Sequence, residues 1–146
     1  MIKRFFYLAI ASLLVLPGMN LSAQELEVTI TGLKTTKGQI VIGVFKDDPT
    51  FQKEDAFLSR KFAKKDIKNG EMRIEFKMDP GLYGLTLLDD ENNSGLMEYN
   101  LLGIPKEGFG FSDYYHTGIK KPKFDSFKFT LEKDQKKKIT VKVRYM

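Results

Sequence analysis

The segment EMRIEFKMDPGLYGLTLLDD, residues 71–90, decides the fold class of this chain. Its first half alternates apolar and charged residues, with Met72, Ile74, Phe76 and Met78 on one side, as a half-buried strand requires. The Asp-Pro-Gly tripeptide that follows is a turn signature, and a second, mostly apolar run comes after it. Two short strands separated by a turn are therefore predicted here.

Further strand-like runs lie before this segment. ELEVTITGL (25–33) alternates in the same way, and GQIVIGVFK (38–46) is apolar on both faces, as a more central strand would be. These two runs are predicted to pair as the first hairpin. Residues 47–56 are predicted to form a loop with one helical turn, and FLSRKFAKK (57–65) fits a short strand or a helix.

Two more predicted strands end the chain, FDSFKFTLE (124–132) and KKITVKVRYM (137–146), joined by a polar turn. The total is about seven short strands, with no long helix and no regular alternation of strands and helices. The predicted fold is all-β, a single antiparallel β-sandwich over residues 24–146. It carries one long irregular loop insertion, from residue 91 to about residue 124, where a functional site is expected.

The first 23 residues have the layout of a secretory signal peptide. Lys3 and Arg4 precede an apolar run over residues 5–16, and cleavage is predicted after Ala23. That run is shorter than the roughly 20 residues of a membrane span, so no span is expected after the signal is removed. We therefore expect a periplasmic or secreted protein made of one domain, residues 24–146.

Composition narrows the classes of partner. The sequence has no cysteine, which excludes a disulfide and a lipoprotein anchor, so packing or packing plus a metal must stabilise the domain. Removing the two basic residues of the leader lowers the net charge from +5 to +3. Such a mild excess does not indicate nucleic-acid binding. The expected partner is an envelope or extracellular ligand or protein whose identity the sequence leaves unknown.

The stretch DDENNSGLMEYN, residues 89–100, has oxygen-bearing side chains at the spacing of a calcium loop. The ligands it predicts are the side chains of Asp90, Asn92, Ser94 and Glu98 and the carbonyl of Leu96. Only two of them bring a full charge, so weak binding is expected. The alternative is that these residues are simply turn formers, and the sequence leaves both interpretations open.

The stretch GFGFSDYYH, residues 108–116, is the candidate ligand-binding segment. Phe109, Phe111, Tyr114 and Tyr115 would supply aromatic contact area for a sugar or a peptide. The alternative is that the two phenylalanines plug the open end of the sandwich while the glycines let the backbone pack closely.

Catalysis has weaker support in the sequence. His116 is the only histidine, so a zinc site is not predicted, and no nucleophile elbow is present. The leading hypothesis is a non-catalytic binding or structural module of the envelope. The competing hypothesis is a small extracellular hydrolase or lyase that uses Glu107, Asp113 or His116.

The run PGLYGLTLLDDENNSGLMEYNLLGIPKEGFGFS, residues 80–112, closely resembles the signature of an exported bacterial family known as domain of unknown function 2141. The sequence departs from the family pattern at Ser94, where the family often has Asn, at Glu98, where it often has Asp, and at Phe109, where it often has Tyr. The resemblance implies an exported β-sandwich similar to transthyretin-like and carboxypeptidase-regulatory-like domains, and the strand count by itself predicts an immunoglobulin-like or transthyretin-like sandwich. The resemblance implies no reaction.

Overall fold

The computed structural model describes residues 24–146, which form two β-sheets packed face to face. The predicted signal peptide and its cleavage site lie outside the described residues. The elements are β1 (Gln24–Thr31), β2 (Gln39–Phe45), α1 (Asp48–Gln52), β3 (Leu58–Ala63), β4 (Met72–Met78), β5 (Gly81–Asp90), β6 (Gly108–Phe111), a 3₁₀ turn (Phe124–Ser126), β7 (Lys128–Leu131) and β8 (Lys136–Lys142). The prediction of an all-β sandwich is confirmed, with eight strands in this part of the chain. No helix within it is long and apolar enough to cross a membrane.

The first sheet has three strands in the order β4-β1-β8, and the second has five. In the second sheet the order is β3-β2-β5, and β6 and β7 lie along the same free edge of the long strand β5. Strand β8 runs parallel to β1, so the first sheet is mixed rather than purely antiparallel. The first and last strands of the described residues, β1 and β8, are therefore neighbours that point the same way.

The predicted hairpin of β1 and β2 is wrong. Strand β1 pairs with β4 and β8, whereas β2 pairs with β3 and β5 in the other sheet. Residues 32–38 cross between the sheets, and the N–H of the buried Leu33 donates to the carbonyl of Gly70 at 3.0 Å. Alternation correctly marked both strands, but it carries no information about which strand each one pairs with.

The main core lies between the sheets and is built from residues two apart in sequence. In β1, Leu26, Val28 and Ile30 are fully buried, and β4 alternates buried and exposed residues along its whole length. Strand β3, the segment with an ambiguous pattern, is an edge strand with mostly exposed side chains. The predicted helical turn is α1, which begins where the Asp47 carboxylate accepts the N–H of Thr50.

The long insertion is not a single irregular loop, because β6 divides it. We refer to residues 91–107 as the β5–β6 loop and to residues 112–123 as the β6–β7 loop. Both lie over the outer face of the five-stranded sheet, where they enclose a second apolar cluster separate from the main core. This outer face positions the candidate site.

Candidate functional site

A cavity of about 490 Å³ lies on the outer face of the five-stranded sheet. Its floor consists of outward-facing residues of β2, β5 and β6, and the β5–β6 and β6–β7 loops form its walls. A depression of about 560 Å³ lies elsewhere, along residues 65–73, and its lining is mostly charged. Because that depression has no apolar floor, the outer-face cavity is the better candidate for a binding site.

The floor of the cavity is part of an aromatic cluster made by strands and loops together. The cluster contains six buried phenylalanines: Phe45, Phe51, Phe109, Phe111, Phe124 and Phe127. Phe51, which projects from α1, lies edge-on to Phe127 with ring centroids 4.8 Å apart. Edge-to-face contacts of this kind fix ring orientations as well as burying area, so the floor is preorganised.

Strand β6 has the sequence GFGF, and its glycines and phenylalanines face opposite sides of the sheet. A Cβ on Gly110 would lie 2.5 Å from Cγ1 of Val141, so the glycine side of β6 must pack directly against β8 of the other sheet. The N–H of Phe109 donates to the carbonyl of Arg144 at 2.9 Å, which joins the two sheets at this edge. The close-packing role predicted for the glycines is confirmed.

Phe109 and Phe111 consequently face outwards into the cavity. The alternative interpretation, that they plug the open end of the sandwich, is wrong, because they alternate with glycines that face the other sheet. Tyr114 is half-buried behind Phe111, with ring centroids 6.4 Å apart. Tyr115 is exposed, and the Lys142 ammonium lies 4.9 Å from its ring centroid. Two of the four predicted ligand-binding residues therefore line the cavity.

The mouth of the cavity is crossed by a polar bridge between three segments. The Tyr99 hydroxyl donates to Oε1 of Glu54 at 2.9 Å, and the Lys121 ammonium lies 3.1 Å from the same oxygen. Lys121 also lies over the ring of Phe51, 4.6 Å from its centroid. These residues are 45 or more positions from Glu54 in sequence, so no sequence pattern could have joined them.

The pKa values at the mouth reflect this bridge. Partial burial raises the pKa of the Glu54 carboxyl, but hydrogen bonds from Lys121 and Tyr99 outweigh it, and the pKa is lowered overall. Partial burial and the neighbouring Glu54 carboxylate raise the pKa of the Tyr99 hydroxyl to about 12. At neutral pH Glu54 is therefore a carboxylate and Tyr99 a neutral phenol.

Asp90 orders the start of the β5–β6 loop. Its Oδ1 accepts the N–H of Ser94 at 2.9 Å, and its Oδ2 accepts the N–H of Gly95 at 2.8 Å and the Gln39 amide at 2.6 Å. Burial raises the pKa of Asp90, but these hydrogen bonds outweigh burial and lower it overall. The carboxylate thus organises the turn in the way that turn-forming acidic residues do.

The other predicted calcium ligands also bond within the loop. Glu98 accepts the Asn92 side-chain amide at 2.9 Å, and the Leu96 carbonyl accepts the Ser94 hydroxyl at 3.0 Å. Among residues 24–146, no group of three or more acidic, histidine or cysteine side chains is placed to hold a metal. Calcium binding stays a prediction, and the hydrogen bonds are those expected of the turn-former alternative.

Glu107 is the unexpected residue of this region. Both of its carboxylate oxygens are inaccessible to solvent, and no hydrogen bond of good geometry reaches them. Burial and the nearby carboxylates of Asp90 and Glu98 raise the pKa of Glu107, and the N–H groups of Glu91 and Asn92, which approach its carboxylate, oppose this rise without outweighing it. The sequence named Glu107 as a candidate of the hydrolase or lyase hypothesis, and its burial beside Asp90 and Glu98 is a result of how the loop folds.

Asp89, the neighbour of Asp90, faces the opposite side of β5. Its fully buried carboxylate pairs with the Lys64 ammonium and accepts the Tyr145 hydroxyl at 2.5 Å. Burial, together with Asp89, raises the pKa of that hydroxyl above its ordinary value. Because Tyr145 follows β8, this polar contact ties the two sheets together, and Asp89 is not available to the β5–β6 loop.

The predicted catalytic candidates have separate environments. The Asp113 carboxylate accepts the N–H of Thr140 at 2.8 Å and so fixes the β6–β7 loop to β8. His116 lies beside Phe111, and its Nε2 is 2.6 Å from the carbonyl of Lys120, so this nitrogen carries the proton and donates it. Only His116 of the three lines the cavity.

Comparison with known proteins gives one result. The model of a family described as "Uncharacterized protein conserved in bacteria (DUF2141)" matches residues 28–140. This range contains the cavity floor, both loops and parts of all eight strands. No curated protein and no solved structure matches the chain.

Proposed function

Because the chain belongs to the DUF2141 family of uncharacterized bacterial proteins, whose description names no reaction, we propose a function from the geometry. The protein is an exported, non-catalytic binding domain, and it holds an apolar small molecule in the outer-face cavity. The observation that carries this proposal is the cavity itself.

The size and lining of the cavity support a small-molecule ligand. A volume of about 490 Å³ lies within the range of roughly 300–1,000 Å³ that small-molecule sites occupy. Apolar side chains from five different segments converge on it, including Val41, Phe51, Leu88, Met97 and Phe109. A mainly apolar lining with few polar groups favours an aliphatic or aromatic molecule over a sugar.

The bridge at the mouth supports reversible entry. Glu54, Tyr99 and Lys121 are all partly exposed, and exposed ion pairs contribute little to stability. Opening the mouth therefore costs little, and the same three groups offer donors and an acceptor to a polar end of the ligand. Such an arrangement suits a molecule with an apolar body and one polar end.

A hydrolase or lyase is the competing proposal and has less support. Glu107 and Asp113 do not line the cavity, and His116 Nε2 donates to a carbonyl of its own loop. General acid–base catalysis needs the acid and the base within hydrogen-bond reach of one reacting bond. The contacts of these three residues hold loops in place instead.

The proposal is tested with a neutral fluorescent probe, 1-N-phenylnaphthylamine, which brightens in apolar surroundings. We expect saturable binding at one site per chain. Ala56 lines the cavity and is half-buried, so Ala56→Phe fills part of the space and should weaken binding about tenfold or more, a loss of about 1.4 kcal/mol.

The matched control is Ala63→Phe. Ala63 is exposed near the far end of β3 and does not line the cavity, so this variant should bind the probe like the unmodified protein. The proposal fails if binding does not saturate, or if the two variants bind equally well while both remain folded by circular dichroism.

A further inference from the structure

Exposed apolar side chains surround the mouth of the cavity. Four large aliphatic residues of the two loops are at least 72% exposed: Leu96, Leu101, Leu102 and Ile119. Leu96 and Ile119 line the cavity, and so does Gly103, which follows Leu101 and Leu102 in the sequence. Single exposed apolar residues are ordinary, but a group around one opening marks an interaction surface.

The two leucines are held outwards by an ordered turn. The Asn100 side chain accepts the N–H groups of Leu102 and Ile104 at 2.9 and 3.0 Å. Below the turn, the Lys106 N–H donates to the carbonyl of Glu98, which closes a short ribbon. The turn therefore fixes Leu101 and Leu102 in water, where they cannot fold back onto the protein.

Lysines lie in the same loops. Lys106, Lys120 and Lys123 are exposed, and in residues 24–146 no carboxylate lies within ion-pair distance of them. The β6–β7 loop has three lysines, of which Lys121 is paired with Glu54, against one acidic residue, Asp113, whose carboxylate is bonded to β8. This loop thus presents unpaired positive charge beside Ile119.

We propose that the mouth of the cavity docks on an anionic lipid bilayer. The leucine turn, residues 100–104, and Ile119 enter the boundary between headgroups and acyl chains, and Lys106, Lys120 and Lys123 contact lipid phosphates. The cavity then opens towards the bilayer, so that an apolar molecule passes between them without crossing water. This last statement rests on the proposed function, whereas docking itself does not.

The combination of residues favours a lipid surface over a protein partner. Lysine is depleted at protein interfaces relative to the rest of a protein surface. Segments that bind at bilayer surfaces combine aliphatic side chains with lysine, because the ammonium groups reach anionic headgroups while the apolar groups are buried. The β6–β7 loop provides this combination in Ile119, Lys120 and Lys123, and the β5–β6 loop, which also carries three glutamates, adds the leucine turn and Lys106.

The test is co-sedimentation with vesicles of phosphatidylcholine, with and without phosphatidylglycerol. Protein comprising residues 24–146 is used, because it contains the whole described fold and lacks the apolar residues 5–16. We expect binding to the anionic vesicles that weakens as salt is added. Leu101→Ser/Leu102→Ser should reduce binding about tenfold or more, because several buried methylene groups are lost.

Matched variants separate the surface from general effects. Leu82 and Phe57 are also exposed but lie outside the cavity lining, so Leu82→Ser/Phe57→Ser should bind vesicles normally. Lys120→Gln/Lys123→Gln should weaken binding, whereas Lys133→Gln/Lys138→Gln, with the same change in net charge, should not.

Vesicle docking and probe binding are reduced by different variants, so the two proposals can be tested separately. Ala56→Phe should lose probe binding and still bind vesicles, so each result stands alone. Equal binding to vesicles with and without phosphatidylglycerol overturns the proposal. So does an absence of vesicle binding, which would leave a protein as the partner of this surface, and so does an equal loss in test and control variants.

Discussion

The two faces of strand β5 are packed in different ways. On the inner face, Leu85 and Leu87 are buried among aliphatic side chains from both sheets. On the outer face, Thr86 and Leu88 border the cavity, which is covered only by loops. A sheet facing another sheet fills its space with side chains at a regular spacing, whereas loops over a sheet leave gaps. The cavity is such a gap.

The looser packing of the outer face should also lower its contribution to the stability of the fold. Atoms next to empty space have fewer van der Waals partners than atoms in a filled core. The inner face should therefore carry most of the stability of the domain, and the outer face should tolerate changes in side-chain volume. A binding surface of this kind can vary without loss of the fold.

The most direct comparison uses one residue type on the two faces of the same strand. Leu85→Ala should lower the free energy of unfolding by about 2–5 kcal/mol, because Leu85 is fully buried in the filled core. Leu88→Ala should cost clearly less, because it only enlarges an existing cavity. Equilibrium denaturation in urea measures both. Equal losses would show that the outer face is packed as well as the inner one.

The contact between the sheets at β6 predicts the next largest effect. In Gly110→Ala the new methyl group would lie 2.5 Å from Cγ1 of Val141, and overpacking of this kind costs about 1–3 kcal/mol. Val141→Ala removes the clashing atom, so the double variant should lose less than the sum of the single losses. Strictly additive losses would mean that β6 does not depend on this close approach.

The side chain of Ser112, which follows β6, bonds to main-chain groups of β5 and of the residue before β7. Its buried hydroxyl donates to the carbonyl of Phe127 at 2.5 Å and accepts the N–H of Leu85 at 3.0 Å. Ser112→Ala leaves both main-chain groups without this partner, which should cost about 1–3 kcal/mol. The control Ser59→Ala is at an exposed position of β3 and should change little. If Ser112→Ala loses no more stability than Ser59→Ala, water has replaced the hydroxyl as the partner of these two main-chain groups.

The inner face could be predicted from the sequence, because side chains with a period of two mark the buried side of a strand. Alternation in residues 25–33 and 71–78 gave β1 and β4 with the correct faces inwards. The pairing of β1 with β2 was wrong, since alternation says nothing about sheet membership. Strand β6 was missed because GFGF reads as irregular, although its period of two was the available signal.

The outer face could be predicted only in part. Phe109 and Phe111 were identified as candidates because aromatic side chains supply contact area for a ligand, and both line the cavity. Glu54, Tyr99 and Lys121 were not identified, because the fold alone brings them together. Local chemistry can suggest a site, but contacts between distant loops define it.

Glu107 offers the smallest and most specific test of the outer face. Because burial and two carboxylates raise its pKa, the folded state binds a proton here more tightly than the unfolded chain. The resulting stability is complete below the unfolded pKa of about 4.5 and is lost as the pH rises through the raised folded value. Glu107→Gln should therefore raise the melting temperature at neutral pH, by no more than a few degrees because the N–H groups of Glu91 and Asn92 offset part of the repulsion. It should have no such effect in acid.

Bound calcium would reduce this difference in melting temperature between the unmodified protein and Glu107→Gln. An ion held by the predicted ligands, which include Asp90 and Glu98, would offset their repulsion of Glu107, so calcium should raise the melting temperature of the unmodified protein and reduce the gain from Glu107→Gln. The control Glu132→Gln, at an exposed position, should follow the unmodified protein in both conditions. If added calcium and a chelator give the same melting temperatures, the predicted calcium site is wrong. The β5–β6 loop is then ordered by its own hydrogen bonds, those of Asp90 among them, and the buried Glu107 carboxylate destabilises the face that carries the cavity.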